Sequence, residues 1–508
     1  MNKMKTRLLH CLFIIFFFLF SFSASYAAET RYIVRFKAAP INMERTSRSD
    51  VVSFLQENLQ SNMDTIKLRT PLKDVQPLWV ANSFAFTGTA EQAAEFEKNP
   101  MVAEVVESKY EIYIEPSQTT PVRGNSRAIQ WGVERVKAPK LWQKYKIDGT
   151  GVIVGVLDTG INPDHPALRG KILAFKDFTN EKSAKPIDTR GHGSHVSGTI
   201  AGGNGLGVAP GAKLLVARVF DSNGGTSPDT LIAAMQWMMD PDGNPKTNDA
   251  PRVINNSWGS PNSNKTTYWT AVENWTKAKI LPVFSAGNNG KKGGKVSSPG
   301  AFPHSWAVAA VTSENTLAAF SSTGPIYWQD KKFIKPDIAA PGAKIISCSH
   351  KGSELVSKNG TSMAAPHAAG VAALLLQADP SLTAKEIIRI ISSTALDLGE
   401  KGKDSKFGFG LIDAEKALKV VLAKARLIAS YQHYEEMLAT EEALSGIQTT
   451  STLTAPLAKY IVEKSAELSD KEFDALSDEV NESCSSSAQN LLKAARALRT
   501  ARKVHQAD

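Results

Sequence analysis

The chain has 508 residues, 42% hydrophobic and 21% charged, which is the composition of a globular protein long enough for about three domains. Fifty-nine Lys and Arg against fifty Asp and Glu give a formal net charge of +9. That balance is mildly basic, and no basic patch is interleaved with aromatics, so nucleic acid is not expected as a partner.

Taken in chain order, Lys3, Lys5 and Arg7 precede a mostly apolar run at 8–22, and Ser25-Tyr26-Ala27 offers small residues at the two positions a signal peptidase reads. The run is short of the roughly 20 residues a membrane span needs. Residues 1–27 are therefore expected to be a removed export signal, leaving a secreted product (extracellular or in the cell envelope) with no membrane span. Of the three cysteines, only Cys348 and Cys484 then remain, so no disulfide framework holds the fold. One bridge between them and two unpaired thiols both stay open.

Residues 28–115 read as a small α+β unit. A strand is expected at 31–36, then a helix at 50–63 with Val51, Leu55 and Leu59 on one face, and a strand at 83–88. Thr89 and Gln92 form a capping box for a second helix, which Pro100 closes off, and a last strand follows at 102–107. The polar stretch 116–127, with its Pro and Gly, reads as an exposed, cleavable linker. From 128 to 420, the short apolar runs 152–157, 214–219, 253–257, 280–285 and 306–311 are separated by helical patterns. Unalternated apolar runs suit strands buried on both faces of a parallel sheet, so the class is α/β. Residues 421–508, rich in Ala, Glu and Ser, read as a helical C-terminal extension.

Four local motifs carry chemistry. Val156-Leu157-Asp158-Thr159-Gly160 puts a carboxylate at the end of a buried strand. Gly191-His192-Gly193-Ser194-His195 opens a helix of small residues with a His at its start. Ser285-Ala286-Gly287-Asn288-Asn289-Gly290 ends another strand in a tight turn, and Gly360-Thr361-Ser362-Met363-Ala364-Ala365-Pro366-His367 places a Ser at the mouth of a helix. A serine becomes a useful nucleophile when a His of near-neutral pKa takes its proton, and a buried Asp fixes the imidazole tautomer. The negative oxygen of a tetrahedral intermediate needs preorganised donors, here the Asn288 side-chain amide and the Ser362 backbone N–H. The order Asp, His, Ser along the chain separates this arrangement from the chymotrypsin and α/β-hydrolase orders.

On these motifs, together with Lys335-Pro-Asp-Ile-Ala-Ala-Pro-Gly342 and Phe409-Gly-Leu-Ile-Asp413-Ala, residues 131–418 resemble the subtilisin-like serine peptidases (subtilases, peptidase family S8). Asn255-Asn-Ser-Trp-Gly259 looks like the bacillopeptidase F branch, and residues 31–113 are similar to the family's inhibitor I9-type propeptide. The resemblance implies a three-layer fold with a mainly parallel central sheet. It also implies a serine endopeptidase with Asp158, His192 and Ser362 as triad and Asn288 in the oxyanion hole. The precursor would be held by its own propeptide as an intramolecular inhibitor and would process itself. Protein or peptide substrates would add as a strand between Gly225-Thr226-Ser227 and Ser257-Trp258-Gly259, and Ser285 and Ser297 would line the primary pocket. The chemistry requires no cofactor. Many relatives carry a calcium loop after the His helix, whereas Ala201-Gly-Gly-Asn-Gly-Leu-Gly207 is short and lacks acidic residues, so no metal is expected there and structural calcium elsewhere stays open.

Two readings from other classes compete. One is the same fold without catalysis, acting as a binding protein. The other is a metal-dependent hydrolase in which His192 and His195, one helical turn apart, join Asp158 as ligands. The latter leaves the Gly-Thr-Ser motif unexplained. Asp-Thr-Gly also marks aspartic proteases, but these need a second such carboxylate, which the chain lacks.

Overall fold

The computed structural model describes residues 29–37, 47–66, 71–114, 119–122, 128–290, 293–328 and 330–425. The segment read as an export signal, almost all of the C-terminal extension, and Cys484 lie outside the described residues.

The N-terminal unit runs β1 (Thr30–Phe36), α1 (Arg48–Asp64), β2 (Lys73–Leu78), β3 (Ser83–Gly88), α2 (Ala90–Glu97) and β4 (Val102–Glu107). Its four antiparallel strands lie in the order β2-β3-β1-β4. α1 begins with a capping box between Ser47 and Asp50, and α2 with the one between Thr89 and Gln92. Val51, Val52, Leu55 and Leu59 are the buried face of α1. β2 escapes the sequence reading because Lys-Asp-Val-Gln-Pro-Leu is mostly exposed and shows no apolar period. It lies at the sheet edge, where Pro77 is tolerated.

Two short strands follow, β5 (Glu111–Ile112) and β6 (Thr120–Val122). β6 falls within the expected linker, so that stretch is not wholly featureless. The order then continues with β7 (Ile153–Asp158), β8 (Ile172–Asp177), α3 (His192–Ala201), β9 (Lys213–Arg218), β10 (Gly225–Thr226), α4 (Pro228–Trp237) and β11 (Val253–Asn256). After these come α5 (Trp269–Lys277), β12 (Leu281–Ser285), β13 (Trp306–Val311), the hairpin β14 (Ile326–Trp328) and β15 (Lys331–Phe333), and β16 (Ile338–Pro341). β17 (Ile345–Cys348), β18 (Leu355–Lys358), α6 (Thr361–Ala378) and α7 (Ala384–Thr394) complete the labelled elements.

Seven of these strands form the central sheet, in the order β16-β13-β12-β11-β7-β9-β8, and every neighbouring pair is parallel. The five apolar runs are five of its strands. The other two are the edges: β8 is half-exposed, and β16 is too short to give a signal. Strand order reverses at β7, so crossovers leave in opposite directions on its two sides. Open α/β sheets place their sites at the carboxyl ends of strands beside such a reversal.

One face of the sheet packs on α6, whose Ala364, Ala368, Ala372 and Leu375 meet Val156, Val283 and Val308 in one core. The other face carries α4 and α5, and its core (Leu157, Ile254, Phe284, Leu231, Met235, Trp275) runs on without a break into Val34, Leu55 and Phe84 of the N-terminal unit. The unit is thus docked through shared apolar packing as well as polar contacts, among them Asn274 Nδ2 donating to the Val80 carbonyl at 2.8 Å. Cys348 is a free, fully buried thiol, and burial pushes its pKa up to about 12.

Candidate active site

Asp158 is the last residue of β7 and is fully buried. Its Oδ1 accepts from the Thr159 backbone N–H at 2.7 Å. His192 Nδ1 lies 2.8 Å from Oδ1 and 3.0 Å from Oδ2, which fixes the proton on Nδ1 and leaves Nε2 free to act as a base. His192 opens α3, and the start of that helix is held by a residue the sequence reading did not single out. The Asp188 carboxylate accepts from the backbone N–H of Gly191 at 2.7 Å and of Ser194 at 2.8 Å, from Ser194 Oγ at 2.6 Å and from Thr159 Oγ1 at 2.9 Å. Asp188 thereby caps α3 and ties it to the end of β7. Glycine at 193 allows α3 to approach β7 this closely, since a Cβ there would lie 2.1 Å from the Gly160 carbonyl oxygen.

Ser362 is the second residue of α6. The preceding Thr361 organises the neighbouring turn: its backbone N–H and its hydroxyl each donate to Asn288 Oδ1 at 2.9 Å, and its hydroxyl accepts from the Gly287 N–H at 3.0 Å. With Oδ1 held in this way, the amide N–H₂ of Asn288 is the end left to face an incoming oxygen. Pro366 lies inside α6 and lacks the N–H that would otherwise bond the Ser362 carbonyl. That carbonyl accepts instead from Ser257 Oγ at 2.8 Å, and Ser257 Oγ accepts from Asn255 Nδ2 at 2.8 Å. The Ser362 hydroxyl donates to the Ser257 carbonyl at 3.0 Å. His192, Asn288 and Ser362 line one cavity of about 500 Å³, together with Ser257, Trp258, Gly259, Ser285 and Ser297.

Comparison with known proteins accounts for this arrangement. Residues 149–410 match the family model described as the subtilase family, Peptidase_S8. The chain is 33% identical over 474 residues to bacillopeptidase F of Bacillus subtilis (strain 168), an alignment covering 82% of this chain and 32% of that protein. It is 32% identical over 427 residues to subtilisin amylosacchariticus of Bacillus subtilis subsp. amylosacchariticus, covering 82% of this chain and 99% of the relative. With M-protease of Shouchella clausii (strain KSM-K16) it shares 33% identity over 405 residues, 78% of this chain and 93% of the relative. The chain belongs to the subtilase family. It is a serine-type endopeptidase with the three-layer α/β fold of that family, and it spans about a third of the length of bacillopeptidase F.

The N-terminal unit of this subtilase reaches into the site. β5 pairs antiparallel with β10, Ile112 opposite Gly225 and Glu111 opposite Thr226, so Gly225 and Thr226 are engaged by the chain's own segment. The N–H groups of Tyr113 and Ile114 donate to the Gly224 carbonyl at 3.0 and 3.1 Å. Tyr113 is buried among Phe220, Trp258 and Tyr268, with its hydroxyl 2.6 Å from that of Tyr268. Ile112, Tyr113 and Ile114 form one wall of the cavity that holds His192 and Ser362. Trp258, placed by sequence in a substrate-pairing strand, is itself 2% exposed and packs edge-on against Phe220, Tyr268 and Phe284.

The remaining histidines of the motifs point elsewhere. His195 Nε2 donates to the Ile345 carbonyl at 2.9 Å, and burial lowers its pKa to about 3. His367 Nδ1 donates to the Met363 carbonyl at 2.8 Å, and burial lowers its pKa to about 4. Both are neutral near pH 7. Asp337 holds Lys335 and Lys403 at 2.6 and 2.9 Å and accepts from the Ala307 N–H, a structural knot between β13 and β16. Among the described residues, no three His, Cys, Asp or Glu side chains form a group that could hold a metal, and no helix is long and apolar enough to cross a membrane.

Proposed function

We propose that this subtilase is the secreted precursor of an endopeptidase that processes itself. Ser362 is its nucleophile, His192 its general base, Asp158 the residue that orients His192, and Asn288 with the Ser362 N–H the oxyanion donors. The observation that carries the reading is that His192, held from behind by Asp158, and Ser362 line one cavity which the chain's own segment 112–114 enters. A substrate peptide takes the place of that segment as an added strand along β10. His192 Nε2 accepts the Ser362 proton as Oγ attacks the scissile carbonyl carbon, and the carbonyl oxygen becomes the oxyanion facing Asn288. Collapse expels the amine with the proton from His192, and water then hydrolyses the acyl-enzyme by the same base.

In the precursor, residues 28–115 act as the inhibitor, and the cut falls within residues 112–127. The N-terminal charge, apolar run and small residues of 1–27 support export. Purified wild type and Ser362→Ala, each incubated with casein and followed by mass, test the reading. Wild type is expected to digest casein and lose its N-terminal unit, while the variant stays full length and inert. Equal behaviour of the two removes Ser362 as nucleophile: equal digestion leaves the metal-dependent hydrolase, and two inert full-length proteins leave the silent binding protein.

A further inference from the structure

The chain's own segment lies along two strand edges, one on each side of the cavity. Upstream, β5 pairs with β10; downstream, β6 pairs antiparallel with β18, with Thr120 opposite Ser357, Pro121 opposite Val356 and Val122 opposite Leu355. β18 ends at Lys358, and Asn359, the next residue, lines the cavity with Ser362. A peptide that follows this path past Ser362 therefore carries its leaving-group half out along β18. One step further along the ladder sets Thr119 opposite Lys358, and Lys358 Nζ donates to Thr119 Oγ1 at 2.8 Å. β6 is a replaceable occupant: it is three residues long, mostly exposed, and its Pro121 has no N–H to donate.

The charge of Lys358 is poorly answered at that edge. The residue is only 5% exposed, and among the described residues its ammonium makes no ion pair. Burial lowers its pKa, Asp188 and Asp158 oppose the fall from farther off, and Arg190 adds to it. Both of those acids are engaged elsewhere: Asp188 holds the start of α3, and Asp158 holds His192 and the Thr159 N–H. Arg190 stands on the upstream side of the same passage, where its guanidinium donates to the Ile114 and Ser222 carbonyls, each at 2.9 Å. Two cations thus flank the stretch that crosses the cavity, and a neutral hydroxyl is a weak partner for one of them. A buried ammonium is costly unless it is paired, and a charge-assisted hydrogen bond is roughly twice as strong as a neutral one. Residues directly opposite in an antiparallel pair share a face, where opposite charges attract and like charges repel.

We propose that Lys358 is a specificity residue, which selects peptide substrates carrying Asp or Glu on the leaving-group side, at the position that Thr119 occupies in the full-length chain. The proposal rests on the reading above in taking the path of the chain's own segment for the path of a substrate. The carboxylate of such a substrate replaces the Thr119 hydroxyl on Nζ, and Arg190 deepens the positive field from the acyl side. A lysine at the same position sets like charges opposite one another, so discrimination comes from repulsion as well as attraction.

The test uses the purified full-length chain, left to process itself, and fluorogenic peptides alike except at one leaving-side residue. That residue is Asp, Ser or Lys at each of the first few positions after the cut, and mass gives the bond cleaved. At one of these positions kcat/KM for Asp is expected to exceed that for Lys by about tenfold or more, the worth of one hydrogen bond to a charged group. Lys358→Met should bring the ratio close to one, and Lys358→Glu should turn it in favour of Lys. Equal rates for Asp and Lys in the wild type overturn the proposal. So does a Lys358→Met enzyme that keeps the preference while slowing on all peptides alike, the mark of a merely structural lysine. A second measurement leaves Lys358 in place, in case its loss unfolds the chain. The wild-type preference should shrink as sodium chloride rises from about 0.1 M to about 1 M, and a preference indifferent to salt overturns the proposal. Hydrolysis of none of the peptides ends the reading on which the proposal rests, and the proposal with it, whereas hydrolysis without preference removes the proposal alone.

Discussion

Thr361 stands beside the proposed nucleophile and also holds the proposed oxyanion donor. By occupying Asn288 Oδ1 twice, it leaves only the N–H₂ end of that amide to meet a developing negative charge. Asn288→Ala is expected to lower kcat about 100- to 1,000-fold with KM little changed, since the donor acts on the transition state. Thr361→Val removes the hydroxyl bond to Asn288 Oδ1 and keeps the backbone one, which loosens the amide's orientation, and a loss of about tenfold is expected, the value of one hydrogen bond of about 1.4 kcal/mol. Steady-state kinetics on a chromogenic peptide separates the two, and a Thr361→Val enzyme as active as wild type would remove the positioning role. Asp158, His192, Asn288 and Ser362 were legible in the sequence because each sits in a short motif with its own turn chemistry. Asp188 and the Thr361–Asn288 link were not. A capping carboxylate looks like any loop Asp, and residues 73 apart in sequence do not announce that they touch.

Among the elements, α4 is where the N-terminal unit is fastened by charge. Asp229, in its first turn, accepts from Ser108 Oγ at 2.6 Å and Arg31 Nε at 2.9 Å across the junction, and from its own Ser227 Oγ at 2.6 Å. Burial pushes its pKa up, but the bonds from Ser108, Ser227 and Arg31 outweigh burial and leave it below the ordinary Asp value. A carboxyl depressed by docking stabilises the docked state above its undocked pKa, and that stabilisation is lost as pH falls through the docked one. Protection of the N-terminal unit from hydrogen exchange in Ser362→Ala should therefore hold at neutral pH and decline below about pH 4. Asp229→Asn should weaken protection at neutral pH and flatten the acid decline; an unchanged profile would place the pH dependence on other carboxylates. The strands at this junction were the least legible part of the chain. β5 and β6 are two and three residues long, and their pairing with β10 and β18 is made by backbone alone, which no apolar period records.

Across the whole molecule, the site is assembled by a helix threaded through the core. Every residue of α6 from Thr361 to Leu376 is buried, and its small residues, visible in the sequence, are what permit this. A Cβ added at Gly370 would lie 2.6 Å from Val208 Cβ, and one at Gly198 of α3 would lie 2.7 Å from Cys348 Sγ. Gly370→Ala should therefore destabilise by about 1–3 kcal/mol through overpacking, read as a lower Tm, whereas an unchanged Tm would mean that the 208 loop yields freely. The strand order around β7 could not be read from the chain, because it depends on which way each crossover turns. One further consequence follows from the two short pairings β5–β10 and β6–β18, which pin the chain down on both sides of residues 115–118. While that bridge is intact, the N-terminal unit sits at an effective concentration set by a short tether, in the millimolar range, and dilution cannot dislodge it. If the bridge is cut as proposed, the same contacts belong to two molecules, and occupancy depends on how much volume surrounds them. The proposed export into a large outside volume would then be part of activation, with dilution acting as the switch.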